Sequence, residues 1–136
     1  MSGADSFGIA YSAKFESTYS KALRTHYRKN PTDFSEFEES FDKIEADMSV
    51  DPYLPGSVRM PWPGNFGRPD WDLCKLKFHM PGLKGASNLG RLLYLVDQKG
   101  KIIHLLWVYT HREYENQPPT KDIRRAVMEV YRHSEG

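Results

Sequence analysis

The sequence predicts one α+β domain: an antiparallel β-sheet with two N-terminal helices packed on one face and a C-terminal helix. Three observations predict it. Phe34, Phe37, Phe41, Ile44 and Met48 recur at helical spacing with acids on the opposite face. Leu73–Met80 alternates strictly, with Cys74, Leu76, Phe78 and Met80 against Leu73, Lys75, Lys77 and His79. The order of such stretches is strand, two helices, three strands, helix. With 136 residues, 39% of them hydrophobic and 13% aromatic, residues 1–136 can bury one core and not two.

Taken in order, Phe7–Ser12 alternates Phe7, Ile9 and Tyr11 against small residues and reads as a first strand. Lys14–Tyr27 places Phe15, Tyr19, Ala22, Leu23 and Tyr27 at helical spacing. Asn30-Pro31 ends that helix and starts the next, asparagine suiting the N-cap and proline the first turn. Residues 50–70 hold five prolines and three glycines and are expected to be an irregular loop, with Tyr53, Trp62 and Phe66 packing it on the body. After the alternating strand, Pro81-Gly82 and a Gly/Ser/Asn-rich loop lead to Arg91–Asp97. The tight turn Asp97-Gln98-Lys99-Gly100 returns the chain as Lys101–Thr110, which is apolar on both faces and is expected near the centre of the sheet. Thr120 is the expected cap of a last helix, Lys121–Arg132, with Ile123, Val127 and Val130 or Tyr131 inward.

Charge is concentrated. The chain is only +1, yet Lys75–Arg112 holds seven cations and one carboxylate, Asp97, giving +6, with His79, His104 and His111 inside it. A positive field gathered in one part of a small domain suits a polyanion such as nucleic acid. Other chemistries find little support. There is no HExxH, no Walker-type loop and no Cys/His metal spacing. Carboxylates are too scarce in the basic window for a two-metal nuclease, and Asp70 and Asp72 beside Trp71 lack partners for a metal. The single Cys74 rules out an internal disulfide and fits a reducing compartment; its alternation with Lys75 predicts a buried, inert thiol. No apolar stretch approaches transmembrane length and Met1–Ser6 is polar, so a soluble cytoplasmic protein is expected.

Four stretches carry a family resemblance. Phe7–Tyr27 with "YSAKF" looks like an opening strand and helix, and "CKLKF" (Cys74–Phe78) looks like a basic strand. "KGASNLGRLLYLVDQKGKIIHLLWVYTHREYEN" (Lys84–Asn116) brings a Gly-Arg into a strand, a turn, and an apolar strand ending in Tyr-Thr-His. A Pro-Thr-Lys-Asp-Ile helix closes the chain. Together these resemble the RelE/HigB toxins of toxin–antitoxin modules, over nearly the whole chain except residues 50–70. The resemblance implies a RelE-like fold and a ribosome-dependent messenger-RNA endonuclease with no metal or other cofactor. It also implies three partners: a cognate antitoxin, the ribosome and messenger RNA. In that chemistry a ribose 2′-hydroxyl attacks the adjacent phosphate and the 5′-oxygen leaves, which calls for a base, an acid and positive charge on the phosphate oxygens.

The catalytic candidates under that resemblance are Lys75, Lys77, Arg91, His111 and Arg112. Lys75 and Lys77 share a strand face, so each is expected to depress the other's pKa. Arg91 offers a planar fork for the transition state and, as a strand-end arginine, is expected to be solvated. Histidine as a residue type suits proton transfer at neutral pH, which makes His111 a candidate acid or base. Lys84 and His79 are candidate phosphate contacts, and Tyr114 a candidate for stacking on a base. Each has a plainer reading. Lys75 and Lys77 equally fit a solvated strand face, Arg91 an ion pair with Asp97 or Glu113, and His111 a surface histidine. His104, inside the apolar strand, reads as a satisfied, semi-buried residue, and the side taken by Tyr94 depends on register. Two rival functions remain: a non-catalytic binding protein that blocks a target such as gyrase, as ParE-like relatives do, and a repurposed mobile-element protein. The basic and histidine cluster favours the nuclease.

Overall fold

The computed structural model describes residues 6–62, 64–85 and 88–135; most of the polar start and part of the loop before Gly90 lie outside them. The elements are β1 (Gly8–Tyr11), α1 (Ala13–Tyr27), α2 (Pro31–Val50), β2 (Ser57–Met60), β3 (Trp71–His79), β4 (Leu89–Asp97), β5 (Ile102–Thr110) and α3 (Thr120–Glu135). The five strands lie in the order β1-β5-β4-β3-β2.

Two expectations need correction. The sheet is antiparallel except at one edge, where β1 runs parallel to β5. Gly8 N–H donates to Lys101 O and Ser12 N–H to Leu105 O, and Ser12 then caps α1 by accepting from Phe15 N–H at 3.0 Å. The chain thus leaves the edge straight into a helix. Residues 50–70 are likewise not wholly irregular. Val50 closes α2, and Ser57–Met60 adds an edge strand to β3, with Val58 opposite Lys75 and Met60 opposite Leu73. Pro55, Gly56 (φ 89°) and Pro61 flank this segment but leave its four residues free of backbone-breaking types.

The sheet is covered on both faces. Cys74, Leu76, Phe78, Leu92, Tyr94, Val96, Ile103 and Leu105 face α1 and α2, which settles the side of Tyr94. Phe37, Phe41 and Phe78 form one aromatic cluster there, with ring centroids 5.9–6.3 Å apart. Cys74 is fully buried, and burial pushes its thiol up to about 12. Leu73, Leu93, Leu95, Leu106, Trp107 and Tyr109 pack on the other side with Phe66 and the Ile123, Val127, Val130 and Tyr131 stripe of α3. β5 is buried on both faces as expected, although β4 is the middle strand. The helix ends differ in detail. Asn30 sits at the N-cap of α2 without a side-chain cap bond. Thr120 begins α3 rather than capping it, the first N–H groups of Asp122 and Ile123 going to Pro119 O.

Gly90 brings β4 against the strand that carries the basic face. A Cβ there would stand 2.5 Å from Phe78 Cζ and 2.9 Å from Met80 Sδ, in packed surroundings. Gly90→Ala is expected to cost roughly 1–3 kcal/mol through overpacking, read as a lower urea midpoint at unchanged m-value; an unchanged midpoint would show that this contact yields freely.

Candidate active site

Register builds the site. Across β3, β4 and β5, Lys77 pairs with Arg91 and Arg91 with Tyr109, while Lys75 pairs with Leu93 and Leu93 with Trp107. Two-residue periodicity puts Lys75, Lys77, Arg91 and Tyr109 on the face that carries α3. That helix packs on the leucines and aromatics, and Lys77, His79 and His111 remain exposed. One end of the face is therefore apolar and covered, and the other cationic and open.

Arg91 is the centre of the open end, and its setting corrects the expectation of a solvated strand-end side chain. It is only 4% exposed. Its Nη1 donates to Leu89 O at 3.1 Å, and its Nη2 is in close contact with His111 Nε2. A guanidinium has no acceptor, so this contact is a hydrogen bond when His111 Nε2 is unprotonated. The expected alternatives, ion pairs with Asp97 or Glu113, do not occur. Among the described residues Arg91 has no carboxylate partner.

Lys75 is half-buried, and its ammonium is held below the usual lysine range. Burial is the largest cause; repulsion from Lys77 comes second and from Arg91 third. The expected mutual effect of the two lysines is thus present at Lys75 but secondary. Tyr109 is buried; burial pushes its phenol up to about 12 against the pull of Arg91, and its hydroxyl donates to Asn116 O at 3.1 Å.

The other candidates are spread around this row. His79 is exposed, its Nδ1 3.1 Å from Asn88 Oδ1. Lys84 stands exposed in the loop after β3. Tyr114 is half-buried, its ring edge-on to Tyr109 at 5.8 Å and to Trp107 at 6.1 Å, so it packs before it can stack on a base. Arg112 is exposed and lines a groove of about 380 Å³ with Lys21, Thr25 and Tyr114, on the α1 side. His104 is half-buried but not satisfied: its ring stacks on Trp71 at 5.2 Å, and its Nε2 has no hydrogen-bond partner. Burial lowers its pKa, with Asp97 opposing.

Two residues of this neighbourhood, Tyr109 and His26, are not among those the sequence nominates, and a third, Glu113, is expected from it only as an ion-pair partner of Arg91. Tyr109 becomes visible only once β4–β5 register aligns it with Arg91. Glu113 accepts from Thr110 N–H at 2.8 Å and from Thr110 Oγ1 at 3.2 Å. Its signal was the Thr110-x-x-Glu113 spacing, a capping-box pattern placed at a strand end. His26 lies on the buried stripe of α1, one turn beyond Ala22, with Nε2 3.8 Å from Glu113 Oε2. Among the described residues, no group of three His, Cys, Asp or Glu could hold a metal ion, and no helix is long and apolar enough to cross a membrane.

No family model matches the chain, and no curated protein matches it. Several solved structures are similar, two of which are the following. The crystal structure of the archaeal RelE–RelB complex from Pyrococcus horikoshii OT3 matches at 16% identity and a TM-score of 0.48, covering 77% of this chain and 94% of that one. A mutant of the E. coli toxin RelE in the free state matches at 14% identity and a TM-score of 0.45, covering 81% of this chain and 88% of that one.

Because Arg91 is buried, Arg91→Ala is expected to empty packed space in the sheet and destabilise the fold by about 1–3 kcal/mol. Denaturant unfolding checks this; a wild-type midpoint would return Arg91 to the solvated class.

Proposed function

We propose that this chain is the toxin of a toxin–antitoxin module and that it cuts messenger RNA on the ribosome, without a metal, by attack of a ribose 2′-hydroxyl. One observation carries the reading: the buried Arg91 guanidinium, without a carboxylate partner among the described residues, lies directly beside the exposed Lys77 and His111. Taking a cation out of water is costly unless an anion or good hydrogen bonds compensate it. A site holding a cation against a carbonyl and an imidazole alone keeps strong positive potential for an arriving phosphate.

The roles follow from that geometry. Arg91 donates to the non-bridging oxygens as charge grows on them, and its contacts with Leu89 O and His111 fix the fork beforehand. Lys77, opposite it on β3, adds a second cation. Lys75 has a proton that leaves more readily than that of an ordinary lysine, which suits the base that takes the 2′-hydroxyl proton. His111 accepts from Arg91 only while its Nε2 is unprotonated; in the imidazolium form it releases that contact and returns a proton to the leaving 5′-oxygen. Lys84, His79 and Arg112 contact phosphates farther along the strand, and Tyr114 borders the site through its exposed edge. A cognate antitoxin silences the protein by covering the cationic face or displacing α3.

Arg91→Lys tests the fork while keeping the charge. Expressed from an inducible promoter, the wild type is expected to arrest growth and to create new in-frame 5′ ends on messenger RNA within minutes. Arg91→Lys and His111→Ala are each expected to reduce cleavage by about 10²–10³-fold, the scale of losing one transition-state donor or proton-transfer group. Primer extension reads the ends. Arrest without new ends would move the target to a protein, and full cleavage by Arg91→Lys would remove the fork from the mechanism.

A further inference from the structure

The turn that carries His111 is closed onto a single residue. Thr110 is fully buried, and its oxygen atoms accept from the N–H groups of Arg112, Glu113 and Tyr114 at 3.1–3.2 Å. Its own N–H and hydroxyl go to the Glu113 carboxylate. Remove that carboxylate and a buried strand-end N–H loses its acceptor, at the position paired with Gly90 and next to Arg91.

Behind Glu113 stands His26 of α1. It is 8% exposed, and its Nε2 has no hydrogen-bond partner and lies 3.8 Å from Glu113 Oε2. That is too long for a hydrogen bond, yet a shift of the carboxylate by about 1 Å would reach charge-assisted range. Among the described residues, the charged groups that act on His26 are Glu113 and Arg112.

We infer that Glu113 and His26 are positioning residues for the candidate active site: Glu113 holds the Thr110–Tyr114 turn, and protonation of His26 draws that carboxylate off Thr110 and loosens the turn. The inference rests on the reading of the site given above, but its structural half stands without it. Burial is the largest influence on His26 and lowers its pKa; Arg112 acts in the same direction and Glu113 opposes both. His26 is therefore neutral at neutral pH. A histidine whose folded pKa is depressed contributes stability above its unfolded value and loses it as pH falls through the folded one. The turn is accordingly firm at neutral pH and loosens on the acid side, where the new imidazolium competes with Thr110 for Glu113.

Amide and imidazole NMR on the full chain, titrated from pH 7.5 to 5, tests this. The Thr110 amide is expected to shift with the midpoint of the His26 ring, in the wild type and in His111→Gln alike. In His26→Phe that shift should be absent. Glu113→Gln keeps an acceptor for Thr110 but loses the charge, so the His26 midpoint should fall further while Thr110 stays protected from exchange. Glu113→Ala should speed Thr110 amide exchange at least tenfold. On ribosomes it should lower kcat about tenfold with KM within twofold, as displaced catalytic groups do. A Thr110 shift that persists in His26→Phe, or unchanged Thr110 exchange in Glu113→Ala, would overturn the inference. Should His26→Phe fail to fold, the two Glu113 variants decide alone. Intact NMR behaviour with no RNA cleavage by the wild type would instead reject the nuclease reading and leave the turn device standing.

Discussion

The guanidinium of Arg91, nearly enclosed and held by a carbonyl and an imidazole, is the constraint around which this molecule is arranged. A buried cation of this kind is tolerated only where the scaffold is stiff and the hydrogen bonds are well placed. Here the scaffold is the middle of a five-stranded sheet with leucines and aromatics on both sides. Gly90, which precedes it, lets β4 pass Phe78 and Met80 closely. The same burial that makes Arg91 costly to the fold would, under the proposed function, strengthen its action on a phosphate, because fixed dipoles and charges act strongly where water is excluded.

The remainder of the site is positioned from the two neighbouring strands and from one turn. β3 delivers Lys77 opposite Arg91 and Lys75 two residues away, partly buried, so that its proton is less tightly held. β5 delivers Tyr109 on the other side and ends at Thr110, where Glu113 closes the turn that presents His111. The helices are asymmetric in effect. α1 and α2 bury the middle of one face, whereas α3 covers only the apolar part of the other and leaves the cationic part open. Charge segregation along the sequence thus becomes segregation across one sheet face.

Much of the fold was legible because its signals are local. The aromatic stripe of α2, the strict alternation of β3 and the Asp97–Gly100 turn each encode one element without help from the rest of the chain. What failed depends on distant partners. The parallel placement of β1 and the short strand β2 are decided by hydrogen bonds to β5 and β3, and no residue pattern within them announces which neighbour they find. The site divides in the same way. The cations could be nominated from composition, and alternation put Lys75 and Lys77 on one face. The burial of Arg91, the alignment of Tyr109 and the approach of His26 to Glu113 arise from register and helix packing, which one sequence does not display. Arg112 shows the converse: beside His111 in sequence, it lines a groove with Lys21, Thr25 and Tyr114, a placement that adjacency in the sequence does not announce.

The chemistry of the cut ends tests the central claim most directly. Purified protein would be added to ribosomes stalled on a defined messenger RNA, with divalent metal chelated as far as ribosome integrity allows, and the product termini identified by mass spectrometry. A 2′,3′-cyclic phosphate on the upstream fragment and a 5′-hydroxyl on the downstream one are the expected result, since lysine, arginine and histidine side chains alone can drive attack by the neighbouring 2′-hydroxyl. A 5′-phosphate with a 3′-hydroxyl, which requires water as the nucleophile, or intact messenger RNA would contradict the account.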